Sequence, residues 1–308
     1  MMAANTGTLL GNLVGVFMRI ILTDEQLLSW GWRLPFLSGI LISFVAMYLN
    51  VHGKEHHPNA DEYDNDEEDN SQCNNTIKES KHPLKEVFKK ENLPALASAT
   101  LTPMLWGASF YTTFVWMAIY MDVLIDEPIE HAFAVNALAL LFGIILPLPL
   151  GGMISDHWGR DKTMGVGIAG LAILGPFMVN IISSGNAVKA FFAQWTIGFF
   201  LSMFGGPMNA WLVERFPPKV RLSSAALGYD LSHCTASAFS PLAATLLVQH
   251  VGVTAPGILY PFFAIIAIIG MFMSTKIHRD GGIADDGSVK SVEMGSKTVE
   301  NPKLNPVC

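Results

Sequence analysis

Charged side chains are scarce in this sequence. Asp, Glu, Lys and Arg make up 15% of its 308 residues, whereas a soluble domain carries about a quarter. Cysteine is scarcer still. Cys73, Cys234 and Cys308 stand far apart, which implies neither a disulfide framework nor a cysteine-based metal site. No nucleophile–base pair, metal-ligand spacing, phosphate loop or nucleotide motif appears. An enzymatic reading would rest on His56-His57 or His131 alone, so no catalytic residue, cofactor or metal is expected. Met1–Thr6 lacks the basic segment that opens a cleaved signal. The net charge of −7 says nothing of nucleic acid or anionic lipid. Seven acids lie between Asp61 and Asp69, and the remainder of the chain is balanced.

Apolar sequence is what the chain has in quantity. Crossing a hydrocarbon layer of ~30 Å takes ~20 apolar residues at ~1.5 Å of helical rise each. Stretches of that kind lie near 7–22, 34–51, 96–121, 132–154, 164–183, 189–213, 222–249 and 256–275. They predict an all-α, polytopic membrane bundle of about eight helices, with the lipid bilayer as its surroundings.

Charge orients the bundle. Segments 52–95, 155–163, 214–221 and the tail after 275 hold sixteen of the nineteen Lys and Arg. The positive-inside rule places those segments, and with them both termini, in the cytoplasm. Asp24, Glu25, Asp122, Asp126, Glu127 and Glu130 fall on the opposite side. The plasma membrane is the expected location.

Four regions follow from this pattern. Residues 1–51 hold two spans, 52–92 form an acidic cytoplasmic linker, 93–277 hold six spans, and 278–308 form a tail. The linker and tail lack the apolar content that offsets the entropy of ordering, so both are expected to be disordered. His82–Lys90 alternates apolar and basic positions, as a short helix on the inner leaflet would. In the first span Gly7, Gly11 and Gly15 share one helix face, where backbones can approach closely, either as a moving seam or as static packing. Arg19, in the last turn of that span, is expected to extend to the outer interface.

Six spans after a long cytoplasmic loop, with Gly152-x-x-x-Asp156-x-x-Gly159-Arg160-x-Lys162 between the second and third of them, resemble the carboxyl-terminal half of a major facilitator superfamily transporter. Two positions depart from the pattern: His157 stands where a basic residue is usual, and Asp161 interrupts the closing basic run. Trp30-Gly-Trp-Arg33-Leu-Pro-Phe-Leu37 and Glu214-Arg-Phe-Pro217-Pro-Lys-Val-Arg221 are similar to segments of the metabolite:proton symporters, the proline/betaine, shikimate and α-ketoglutarate permeases. On this resemblance the first two spans are the family's fifth and sixth helices. The first four helices are then expected to be absent, through an incomplete gene model, a splice form or a genuine remnant.

The charged loop residues suit a gating latch. Asp156, Arg160, Glu214 and Arg221 sit at the cytoplasmic ends of consecutive spans, where ion pairs would favour the state closed on that side. The bland alternative is that they only anchor loops. Deeper, Asp230 and His233 lie one turn apart in the seventh span. An ionisable group at that depth is a candidate for a proton or substrate pathway by default, although the pair could simply satisfy itself. The related permeases usually have Asn at this position. Trp106 and Tyr111, with Trp116 and Tyr120, could give a cavity an aromatic wall suited to cationic or zwitterionic solutes, or could pack or face lipid. Gln194 and Asn209 are further polar candidates, and Gly205-Gly206-Pro207 predicts a kink that would bare backbone carbonyls. The fourth span is expected to bend at Pro147 and Pro149.

The leading expectation is secondary transport of a small polar metabolite or organic ion by alternating access, with proton symport. Its rival is a non-transporting membrane chain that acts by pairing with a complete transporter or with the missing amino-terminal helices.

Overall fold

The computed structural model describes residues 2–52, 88, 92–214 and 221–280. Expectations for the linker, for a helix over 82–90 and for the tail lie outside the described residues, although the last helix runs to Asp280, past the expected start of the tail. No strand occurs among the described residues.

The first segment comprises α1 (Met2–Ile21), α2 (Asp24–Ser29) and α3 (Leu34–His52). A capping box starts α2: Thr23 Oγ1 accepts from the Gln26 amide, and Gln26 Oε1 accepts from the Thr23 amide at 3.2 Å. Next come α4 (Leu93–Leu101) and α5 (Met104–Phe110), divided at Thr102-Pro103. The helix continues from α5 through two π-helical turns, Tyr111–Trp116 and Tyr120–Leu124. Then follow α6 (Ala132–Trp158), α7 (Arg160–Ile182) and α8 (Ala187–Glu214). The chain ends with α9 (Arg221–Ser232, a π-helical turn at His233–Ser237, then Ala238–His250) and α10 (Leu259–Asp280). Gly159 turns the chain between α6 and α7 with φ +95°, a conformation that glycine adopts without the clash of a Cβ.

Five of the eight expected spans are helices long and apolar enough to cross a membrane: Ala132–Trp158, Arg160–Ile182, Ala187–Glu214, Ser224–His250 and Ala255–Met273. At the other three positions the chain is also helical. In α1, Asn5, Asn12 and Arg19 dilute the apolar run, α3 is an apolar helix of 19 residues without Asp, Glu, Lys or Arg, and the 93–124 stretch is divided by Pro103.

Not every proline interrupts its helix. The α8 helix runs unbroken through Gly205-Gly206-Pro207. Instead of loosening, its glycines admit neighbours: a Cβ on Gly205 would strike the Trp106 ring, and one on Gly206 would strike the α6 backbone. Just before Pro147 the winding changes to a π-helical turn, Leu141–Ile145.

In the bundle α8 is the central post, packed along α7 and α6, while α4 lies between α9 and α10. Trp211, Tyr120, Tyr260, Phe114 and Phe204 fill the interior. Phe177, Phe239, Phe262 and Phe272 point outward, as they should where lipid rather than water is the solvent. Donors on α8 serve carbonyls of the π-helical turns. Gln194 Nε2 donates to the Thr113 carbonyl and to Asn136 Oδ1, both at 3.0 Å. Asn136 Nδ2 donates to the Phe114 carbonyl at 2.9 Å, and Ser202 Oγ to that of Gly143 at 3.0 Å. These buried bonds hold the irregular turns of α5 and α6 against a straight helix, which is how a membrane bundle tolerates altered helix winding.

The first segment is attached more loosely. Along α1 the contacts are to the first half of α6, and α3 packs mainly against the 3-10 turn Gly31–Arg33 that precedes it. No described atom comes within 4 Å of a Cβ built on Gly7, Gly11 or Gly15. The close helix contact that their spacing predicts is therefore not made among the described residues.

Candidate functional site

Three of the polar candidates meet at one cavity. It has a volume of about 450 Å³, and its lining includes Asn5 of α1, Trp106 of α5, Asn209 of α8, and Tyr229 and Asp230 of α9. Trp106 is set by its seat on Gly205 and by stacking on Phe110, 5.7 Å between centroids. The Asp230 side chain is exposed and supplies a carboxylate to this space. Asn5 is 5% exposed, and its Nδ2 has no hydrogen-bond partner. An apolar-walled cavity with an aromatic face, a carboxylate and amide groups can orient a small polar or charged solute.

The other candidates sit elsewhere. His233 does not share a hydrogen bond with Asp230. Its ring stacks on that of Tyr229 at 4.0 Å, and its Nδ1 lies 3.2 Å from the Tyr229 carbonyl, which can only accept. It backs the cavity wall rather than lining it. Gln194 is wholly buried in the α5–α6–α8 network, so its amide is a structural clamp in this state, not a lining group. Tyr111 is 38% exposed and is not among the lining residues.

At the end of the bundle where α6 meets α7, the expected latch forms only in part. Arg160 Nη2 meets Glu214 Oε1 at 2.7 Å. Asp156 is exposed and forms no ion pair among the described residues. The side chain of Arg221 lies outside the described residues. A gate must span elements that separate, whereas this pair joins α7 to α8, two consecutive helices packed against each other. Beside it Trp211 Nε1, on α8, donates to Asp161 Oδ1. Asp161, read from sequence as an interruption of the motif, is thus a second tie in the same corner.

Arg19 is also not simply extended to the interface. Its Nη1 donates to Asp122 Oδ2 at 3.0 Å, and its guanidinium carbon lies 4.2 Å from the centroid of Phe133. Sequence reasoning missed Asn5, Tyr229 and this pair. The signals existed: an Asn inside an apolar span, and opposite charges at the same membrane level.

A family model described as Major Facilitator Superfamily matches residues 1–227. Among curated proteins, an inner membrane metabolite transport protein of Escherichia coli (strain K12) is 26% identical over 267 residues, covering 82% of this chain and 56% of that protein. A proline/betaine transporter of Salmonella typhimurium (strain LT2) is 26% identical, covering 86% of this chain and 52% of its own length. A citrate-proton symporter of Klebsiella pneumoniae is 23% identical, with 88% and 57% covered. The chain therefore spans a little over half the length of these relatives.

Proposed function

The chain belongs to the major facilitator superfamily, and from that premise we propose that it moves a small polar solute across the membrane by alternating access, coupled to protons. It is an integral, multi-pass membrane protein. We place both termini in the cytoplasm on the distribution of its Lys and Arg, with the plasma membrane as the proposed location. The cavity that gathers Trp106, Asn209, Tyr229 and Asp230 is the observation that carries the transport reading. No Lys or Arg lines it among the described residues, and Asp230 makes it acidic. That favours a zwitterion or cation, held by the carboxylate and an aromatic face, over a polyanion such as citrate. Relatives with both kinds of name exist, so the distinction rests on these residues.

Asp230 is the proposed proton carrier, since it is the carboxylate among the described lining residues. His233, behind Tyr229, orients that wall. The Arg160–Glu214 and Asp161–Trp211 contacts fix the cytoplasmic corner of α7 and α8 rather than opening and closing it.

Membrane vesicles from cells that express the chain test this reading. An inward proton gradient should drive uptake of labelled betaine or proline above vesicles lacking the chain, with citrate excluded. Asp230→Asn should reduce gradient-driven uptake more than exchange between equal pools. Equal losses in both assays would mean a packing defect, and no uptake of any of the three solutes would overturn the reading. A second reading, pairing with another transporter chain, is favoured by the open Gly7-Gly11-Gly15 face. It predicts co-purification with a second polytopic protein that Gly11→Leu abolishes.

A further inference from the structure

We propose that Arg19 and Asp122 form the outer clasp of the transport cycle, closing the seam between α1 and the bundle while the solute cavity stands open at the opposite end. The proposal rests on the transport reading and on three observations. First, the pair joins two parts that the fold attaches differently. Asp122 lies in the π-helical turn Tyr120–Leu124. That turn is fixed to the bundle by the Tyr120 hydroxyl, which donates to the Val253 carbonyl at 2.8 Å, and by the Ile129 amide, which donates to that of Met121 at 2.8 Å. Arg19 lies in the last turn of α1, whose main packing against the bundle is on the first half of α6.

Second, the seam is not sealed by packing at this end. A crevice of about 480 Å³ runs beside the pair, lined by Val16, Ile20, His131 and Phe133 among others. The 3.0 Å bond and the seat of the guanidinium over Phe133 bridge it. Third, α1 reaches both ends of the seam. Ala4 and Asn5, near its start, border the cavity that holds Asp230, and no ion pair closes that end among the described residues. One rigid helix thus carries a closed contact at its outer end and an open wall at its inner end, as alternating access around a fixed site requires.

The pair is partly exposed, with side-chain accessibilities of 45% and 29%, so its effect on the equilibrium between the two states is modest. A bias of about two- to five-fold, or about 0.4–1 kcal/mol, is the scale for such a pair. That is small enough to be broken once per cycle.

The test uses the full chain with Cys73, Cys234 and Cys308 replaced by serine and with Ala226→Cys in the cavity wall. A membrane-impermeant maleimide is applied to right-side-out and to inside-out vesicles. Arg19→Ala or Asp122→Asn should each raise the labelling rate from outside by about two- to five-fold and lower it from inside. The double variant should go no further than either single one. The exchanged pair, Arg19→Asp with Asp122→Arg, should return both rates toward the parental values, which a fold defect would not do. Unchanged outside labelling in both single variants at parental abundance would overturn the clasp, as would fully additive effects without rescue. Uptake measured on the same vesicles separates the two readings. Parental uptake with unmoved labelling defeats the clasp alone, and shifted labelling without any solute uptake defeats the transport reading alone.

Discussion

Two ion pairs of the same chemistry sit at opposite ends of this molecule with different mechanical consequences. Arg160–Glu214 joins α7 to α8, neighbours in sequence that pack along their length. Arg19–Asp122 joins residues 103 apart, across a seam where α1 rests mainly on one partner helix. Breaking the first removes one tie from a corner that Trp211, Asp161 and continuous packing still hold. Breaking the second releases one end of a helix. What an ion pair does in a transporter therefore depends less on its distance than on whether the elements it joins can separate.

Substitutions can break or sharpen that contrast. The largest effect is expected from Trp211→Ala. It empties a site that is 1% exposed and takes the donor from Asp161, so thermal unfolding in detergent should show a loss of about 3–5 kcal/mol. The side from which the cavity is labelled should not change in the protein that remains folded. Next is Asn136→Ala, which strips Gln194 and the Phe114 carbonyl of a partner and should lower stability by about 1–2 kcal/mol. Arg160→Ala should cost about 0–1 kcal/mol and leave the labelling from both sides at parental rates. A shift toward inside labelling would restore the α7–α8 corner to the role of a gate. Phe133→Leu is comparably mild: it removes the aromatic seat beneath Arg19, worth about 0.5–1 kcal/mol, and should raise outside labelling by less than Arg19→Ala does.

Much of this was legible in the sequence. The length and apolarity of the last five spans declare themselves, because lipid demands ~20 apolar residues wherever the backbone crosses it. Trp106, Asn209 and Asp230 were recognisable as polar or aromatic groups at membrane depth, and they do meet. What the sequence hides is winding. Nothing in Tyr111–Trp116 or Leu141–Ile145 announces a π-helical turn, since the cause lies in donors from α8 more than 50 residues away. At Gly205-Gly206-Pro207, residues that loosen an isolated helix make room for Trp106 and α6, which only the fold reveals. The pairing of Arg19 with Asp122 was hidden by distance along the chain: each charge had a sufficient local explanation, and only the fold brings them together.

The contrast itself can be measured directly by spin-label distances. One pair of labels at Ile21 and Val123, both exposed, reports the Arg19–Asp122 seam, and a second at Lys162 and Val213 reports the α7–α8 corner. Arg19→Ala should add a longer-distance population to the outer pair, while Arg160→Ala leaves the inner pair with its parental distribution. An outer distribution unmoved by Arg19→Ala, or an inner one split by Arg160→Ala, would contradict the account.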